Sequence, residues 1–164
     1  MFGSKVGWAS LIAVLPLNFA HAQVGGMTGN RVPPADYSQT VGDFDIQILD
    51  IRSTGSAITF SFRVLNNTNY DRTIAVFADG RYAGGNGSRI YAGGDVFMPN
   101  YVSLGGQYNR YSRYVRVVVP STISLDGEMR VEGVSIDRSD IKMIEIAISN
   151  GYQMPQQRVR FRLR

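Results

Sequence analysis

Between Ala57 and Val64 the chain reads Ala-Ile-Thr-Phe-Ser-Phe-Arg-Val, with Ile58, Phe60, Phe62 and Val64 at every second position. A period of two belongs to a strand with one face in a core and one in water, because successive side chains point to opposite faces. A helix would scatter these four side chains around its circumference. The same period runs through Phe44, Ile46 and Ile48, which alternate with Asp45, Gln47 and Leu49. Ser53-Thr54-Gly55-Ser56 between the two runs is turn chemistry, so the pair is read as a β-hairpin.

Further β-prone runs follow at Thr73–Ala78, Arg89–Ala92, Val96–Met98, Tyr111–Val119, Glu128–Val134, Ile141–Ser149 and Gln157–Arg164. Turn signals separate them: Asn66-Asn67-Thr68-Asn69, Pro120, Asp126-Gly127 and Asn150-Gly151. Ser139-Asp140 can open a helical turn, but Ile144, Ile146 and Ile148 alternate, so Ile141 onward is read as a strand. The expected fold is all-β, an immunoglobulin-like antiparallel β-sandwich of seven to nine strands. The run Ile58–Thr68, ending in Asn66-Asn67-Thr68, resembles the central strand of bacterial exported immunoglobulin-like domains. The later Ser103-Leu104-Gly105 turn, the strand ending at Pro120 and the closing Val-Arg-Phe-Arg follow the same order. The resemblance spans about Val41 to Arg164 and implies a binding or accessory role, since families of this type are mostly of unknown function.

The first residues read as a signal for export. Lys5 precedes an apolar stretch from Val6 to Phe19, and Ala20-His21-Ala22 gives the small-x-small cleavage pattern. The expected organisation is a signal peptide over 1–22, a Gly- and Pro-rich leader over 23–40 and the sandwich over 41–164. No Cys stands at the cleavage point to carry a lipid, so a soluble periplasmic or extracellular product is expected.

Export also narrows the chemistry. The 164 residues hold no cysteine and a single histidine, His21, which leaves with the signal. Cysteine zinc sites, thiol nucleophiles and Ser-His-Asp triads are thereby ruled out, and no phosphate-binding Gly-Lys-Ser/Thr loop occurs. No cofactor or metal site is expected. Lys142 beside Asp140 reads as a solvated surface residue. Glu128 and Glu132 on one strand face, Asp137 and Asp140 at a turn, and Asp43 with Asp45 are the remaining acid candidates. A glycosidase needs two carboxylates across a cleft, whereas acids on one strand usually solvate it, so carboxylate-based glycan hydrolysis is a remote alternative. Tyr82-Ala83-Gly84-Gly85 and Tyr91-Ala92-Gly93-Gly94 echo a nine-residue calcium repeat. Arg89 stands where a ligand Asp belongs, and a single repeat has no neighbour to stack on, so a surface loop or hairpin is the better reading.

Two arginine-bearing clusters remain. Tyr91, Tyr101, Tyr108, Tyr111 and Tyr114 crowd into 24 residues with Arg89, Arg110, Arg113 and Arg116 among them. Tyrosine and arginine together are enriched at binding hot spots, though the same residues can cap a core and solvate its edge. In the last strand Arg158, Arg160, Arg162 and Arg164 alternate with Val159, Phe161 and Leu163, which puts all four guanidinium groups on one face. Cross-strand acids such as Glu145, Glu128 or Glu132 are the expected neutralisers. Gln23–Asn109 carries six arginines against seven acids, while Arg110–Arg164 carries nine arginines and Lys142 against six. The basic excess therefore sits in the second half.

Partner-binding candidates are Tyr108, Arg110, Tyr111, Arg113, Tyr114, Arg116, Arg158, Arg160, Arg162 and Arg164. The expected partner is a protein or an anionic envelope polymer or lipid headgroup. Export and the absence of any recognition module set nucleic acid aside. The alternative expectation is a structural subunit of a surface or secreted assembly, a homo-oligomer included, built by edge-strand pairing.

Overall fold

The alternating runs pair as their period requires. The computed structural model describes residues 37–78, 87–110, 114–150 and 157–163. They form β1 (Ser38–Val41), β2 (Phe44–Thr54), β3 (Ala57–Asn66), β4 (Arg72–Phe77), β5 (Arg89–Ala92), β6 (Asp95–Phe97), β7 (Tyr101–Leu104), β8 (Gln107–Arg110), β9 (Tyr114–Val119), β10 (Ser124–Glu132), β11 (Ile141–Ser149) and β12 (Gln157–Arg162). A 3-10 turn at Arg138–Asp140 leads into β11. Sheet A runs β1-β2-β3-β10-β7-β8, and every described pairing in both sheets is antiparallel. The protein is an all-β sandwich. Twelve strands stand where the spacing suggests seven to nine. The additional ones are short: β1 pairs back on β2, and the Gly105-Gly106 turn folds β7 onto β8, as the Gly93-Gly94 turn folds the expected β5 onto β6. All four glycines have positive φ, as tight two-residue hairpins demand.

Sheet B is built around β11. Along one side β11 pairs with β12 from Met143 to Ile148. Along the other it pairs first with β5, through Ile141–Glu145, and then with β4, through Ala147–Ser149. β4 and β5 therefore share one edge of β11, like two lengths of a single strand. Ser88 joins them: its backbone N–H donates to Phe77 O at 3.2 Å and its Oγ accepts the Ala147 N–H at 2.9 Å. β9 extends the sheet beyond β4, and β6 extends it beyond β5.

The core lies between the sheets. Phe60, Phe62, Ile58 and Val64 of β3 meet Ile144, Ile146 and Ile148 of β11, with Val159 and Phe161 of β12 beside them, all buried. In β2 a bulge between Ile48 and Asp50 resets the alternation, so Ile51 stays inside with Phe44, Ile46 and Ile48. Asp126-Gly127, read from sequence as a turn, lies inside β10, opposite Arg63 and Phe62. Gly127 faces the core, where an added Cβ would come within 2.6 Å of Phe62 Cζ and 2.5 Å of Ser103 O. The glycine marks close approach of a ring, not a reversal of the chain. The Asn66-Asn67-Thr68 signal does form the connection after β3, and fully buried Asn66 organises it.

Candidate functional site: the outer face of sheet B

Strand parity decides which side chains reach the outside. In β12 Val159 and Phe161 enter the core, so Arg158, Arg160 and Arg162 face outward. Their partners on β11 are Ala147, Glu145 and Met143. Leu163 N–H donates to Lys142 O at 2.8 Å, which makes each arginine part of a non-hydrogen-bonded pair. Side chains approach more closely in such pairs. Glu145 uses the proximity: Arg160 Nε donates to Glu145 Oε1 at 2.7 Å, and Arg158 Nη1 lies 3.8 Å from Oε2.

The remaining strands complete the face. Across β11 from Arg160, Arg89 of β5 stands opposite Glu145, and Tyr91 stands opposite Met143. The Tyr91 hydroxyl donates to Glu145 Oε2 at 3.0 Å. Next to Ala147 is Phe77 of β4, paired in turn with Tyr114 of β9, and their rings lie 5.2 Å apart. Arg116 stands opposite Ala75, with its guanidinium 5.8 Å from the Tyr114 ring. The outward-facing Glu145, Ala147 and Ala75 are buried. Among the described strand positions this face gathers five arginines from β5, β9 and β12 around one carboxylate. A buried carboxylate is tolerable only when paired and hydrogen-bonded, and Glu145 has two arginine partners and a phenol. Arg158 and Arg160 share it.

The outer face of sheet A is different. Arg63 and Asp126 form a two-armed pair at 2.6 and 3.0 Å, and Arg52 meets Asp50 at 2.6 Å. Arg130 reaches Glu128 at 2.9 Å and Glu132 at 3.5 Å, and lies over the Tyr101 ring. Each of these arginines answers to acids on its own sheet. Hydrogen bonding from Arg63 holds the Asp126 carboxyl below its ordinary value, against a smaller opposing effect of burial. A depressed carboxyl contributes stability that is present above the unfolded value and lost as pH falls through the folded one. The pair is largely exposed, so Asp126→Asn should remove only about 0.5 kcal/mol at neutral pH. Urea unfolding of both forms should converge as the pH is lowered to about 2; a difference that persists there would mean Asp126 acts through packing.

The two sequence clusters thus resolve onto faces. Tyr114 and Arg116 join Arg158, Arg160 and Arg162 on sheet B, where Arg89 and Tyr91 belong as well. Tyr108 lies on the outer face of sheet A, opposite Ser103, and Arg110 stands opposite Tyr101 on the same strand pair, away from the arginine face. Tyr111, Arg113 and Arg164 lie outside the described residues, as do the first of the Tyr-Ala-Gly-Gly segments and residues 1–36. Of the three acids expected to neutralise the last strand, Glu145 does so, whereas Glu128 and Glu132 turn to Arg130 on the other sheet. Asp43 pairs with Arg72 at 2.7 Å. Among the described residues no three acids or histidines come together as a metal site, and no helix is long and apolar enough to cross a membrane.

No family model matches the chain, and no curated protein matches it. A crystal structure of the yeast GGA1 GAE domain is similar over 79% of this chain and 99% of that one, at 14% identity and a TM-score of 0.32. The sandwich described above stands on its own strand pairing.

Proposed function

We propose that this protein is a non-enzymatic binding or accessory module, exported to the periplasm or beyond, that recognises an anionic macromolecular partner through the outer face of sheet B. One observation carries the reading: arginines from three strands line that face, Arg158 and Arg160 holding Glu145, while the described arginine pairs of the opposite face are internally balanced. Arginine suits the task because its planar fork stays charged and matches phosphate and carboxylate oxygens in pairs. The acids offered by the sequence for hydrolysis, Glu128 and Glu132, are engaged by Arg130, which favours binding over acid–base chemistry. Export rests on the Lys5, apolar-run and Ala20-His21-Ala22 pattern.

Arg162 and Arg52 are both exposed and lie on opposite faces, so reversing either to Glu changes net charge equally. On immobilised polyphosphate, Arg162→Glu should weaken retention several-fold, and Arg52→Glu should leave it near wild type. Equal losses from the two variants would show that overall charge alone governs retention, and the face would lose its claim.

A further inference from the structure

Five arginines could serve a linear polyanion, an acidic protein or a charged membrane. We infer that the partner of this face is the surface of an anionic lipid bilayer, a conclusion that rests on the reading of sheet B as the anion-binding face. Two observations favour a bilayer.

The first is the layout of charge. Arg158, Arg160 and Arg162 run along β12, while Arg89 lies two strands away on β5 and Arg116 three strands away on β9. At the usual strand spacing this spreads the cations over about 14 Å across the sheet as well as along it. A linear polymer follows one row at a time, whereas a plane of headgroups meets all rows together.

The second is the apolar rim. Val118 of β9 is 56% exposed and Val96 of β6 is 49% exposed, and strand pairing places both on the arginine side. Tyr114, also exposed, lies between them on β9 and carries the polar-tipped ring that favours a membrane interface. The layout runs from exposed guanidinium heads at Arg160 and Arg162 to valine and tyrosine on the far strands. Guanidinium groups can pair with lipid phosphates while the valines enter the acyl boundary, a combination a hydrated polyanion does not reward. The charge on this face supplies attraction, and the valines supply a component that distinguishes a bilayer from any soluble polyanion.

The experiment is co-sedimentation of the protein with phosphatidylcholine vesicles and with vesicles that also contain phosphatidylglycerol, alongside the polyphosphate column. Wild type should partition at least tenfold more strongly onto the phosphatidylglycerol vesicles. The double variant Val96→Ser, Val118→Ser should lower that partition at least fivefold with polyphosphate retention unchanged, and Val118→Trp should raise it. Both valines are half exposed, so the variants keep the core, and polyphosphate retention reports that the arginine face is intact. Face-dependent polyphosphate binding without vesicle binding overturns the bilayer and leaves the anionic-partner reading standing. Loss of vesicle and polyphosphate binding together in the valine variant also overturns the bilayer assignment. Absence of both kinds of binding in wild type removes the two readings at once.

Discussion

Replacing Asn66 by alanine should lower the stability of the sandwich by about 3 kcal/mol, summed over its three backbone hydrogen bonds at 2.9 Å, worth about 1 kcal/mol each. Its Nδ2 donates to Tyr70 O and Val119 O, both at 2.9 Å, with Pro120 O at 3.3 Å. Its Oδ1 accepts Thr68 N–H at 2.9 Å and Thr68 Oγ1 at 2.8 Å. The side chain is fully buried and ties the end of β3 to the ends of β4 and β9, which belong to the other sheet. Alanine would leave the Val119 carbonyl without this donor in a dry site, where an unmet polar group is costly. Serine restores too little reach to span the same carbonyls, so it should recover little. Equilibrium urea unfolding measures the difference directly, and a loss below about 1 kcal/mol would mean that water replaces the amide.

Phe62→Ala should cost still more, about 3–5 kcal/mol, the range for emptying a buried phenyl site. The ring is fully buried and covers Gly127 on the neighbouring strand, so its loss exposes a groove across β3 and β10 as well as a void. The two residues are coupled. Gly127→Ala alone forces a methyl against the ring and against Ser103 O, an overpacking cost of about 1–3 kcal/mol. In the Phe62→Ala background the ring clash disappears while the carbonyl contact remains. A double-mutant cycle should therefore give a combined loss smaller than the sum, by about 1 kcal/mol. Strict additivity would show that the Ser103 carbonyl, not the ring, dictates glycine at position 127.

These two sites show how much of the molecule was legible in its residues. Side-chain period located the strands because period two depends only on local backbone geometry; Ile141–Ser149 was placed to the residue. Asp126-Gly127 misled for an equally physical reason: a glycine that relieves crowding under a phenyl ring looks the same in sequence as one that turns a chain. The reset of β2 at Leu49 was hidden too, since a bulge leaves no fixed signature in composition. The arginine face was half visible. Its parts, the arginines of β12 and the Tyr-Arg pairs of β5 and β9, could each be read from alternation. Their assembly could not, because the pairings β5–β11, β4–β11 and β4–β9 join segments far apart in the chain. Tyr108 and Arg110 share a chain neighbourhood with Tyr114, yet β8 and β9 belong to different sheets.

The junction of β4 and β5 carries a consequence for how such a molecule can diversify. Phe77 and Ser88 are held together by their own hydrogen bond and by the shared edge of β11. The closure of the connection between them is thus supplied by the framework, and the entropic cost of lengthening it grows only by about 0.6 kcal/mol per doubling. A change in the length of that connection should therefore leave the pairing of β4 and β5 with β11 in place, so this is a point where the chain can vary without renewing the fold.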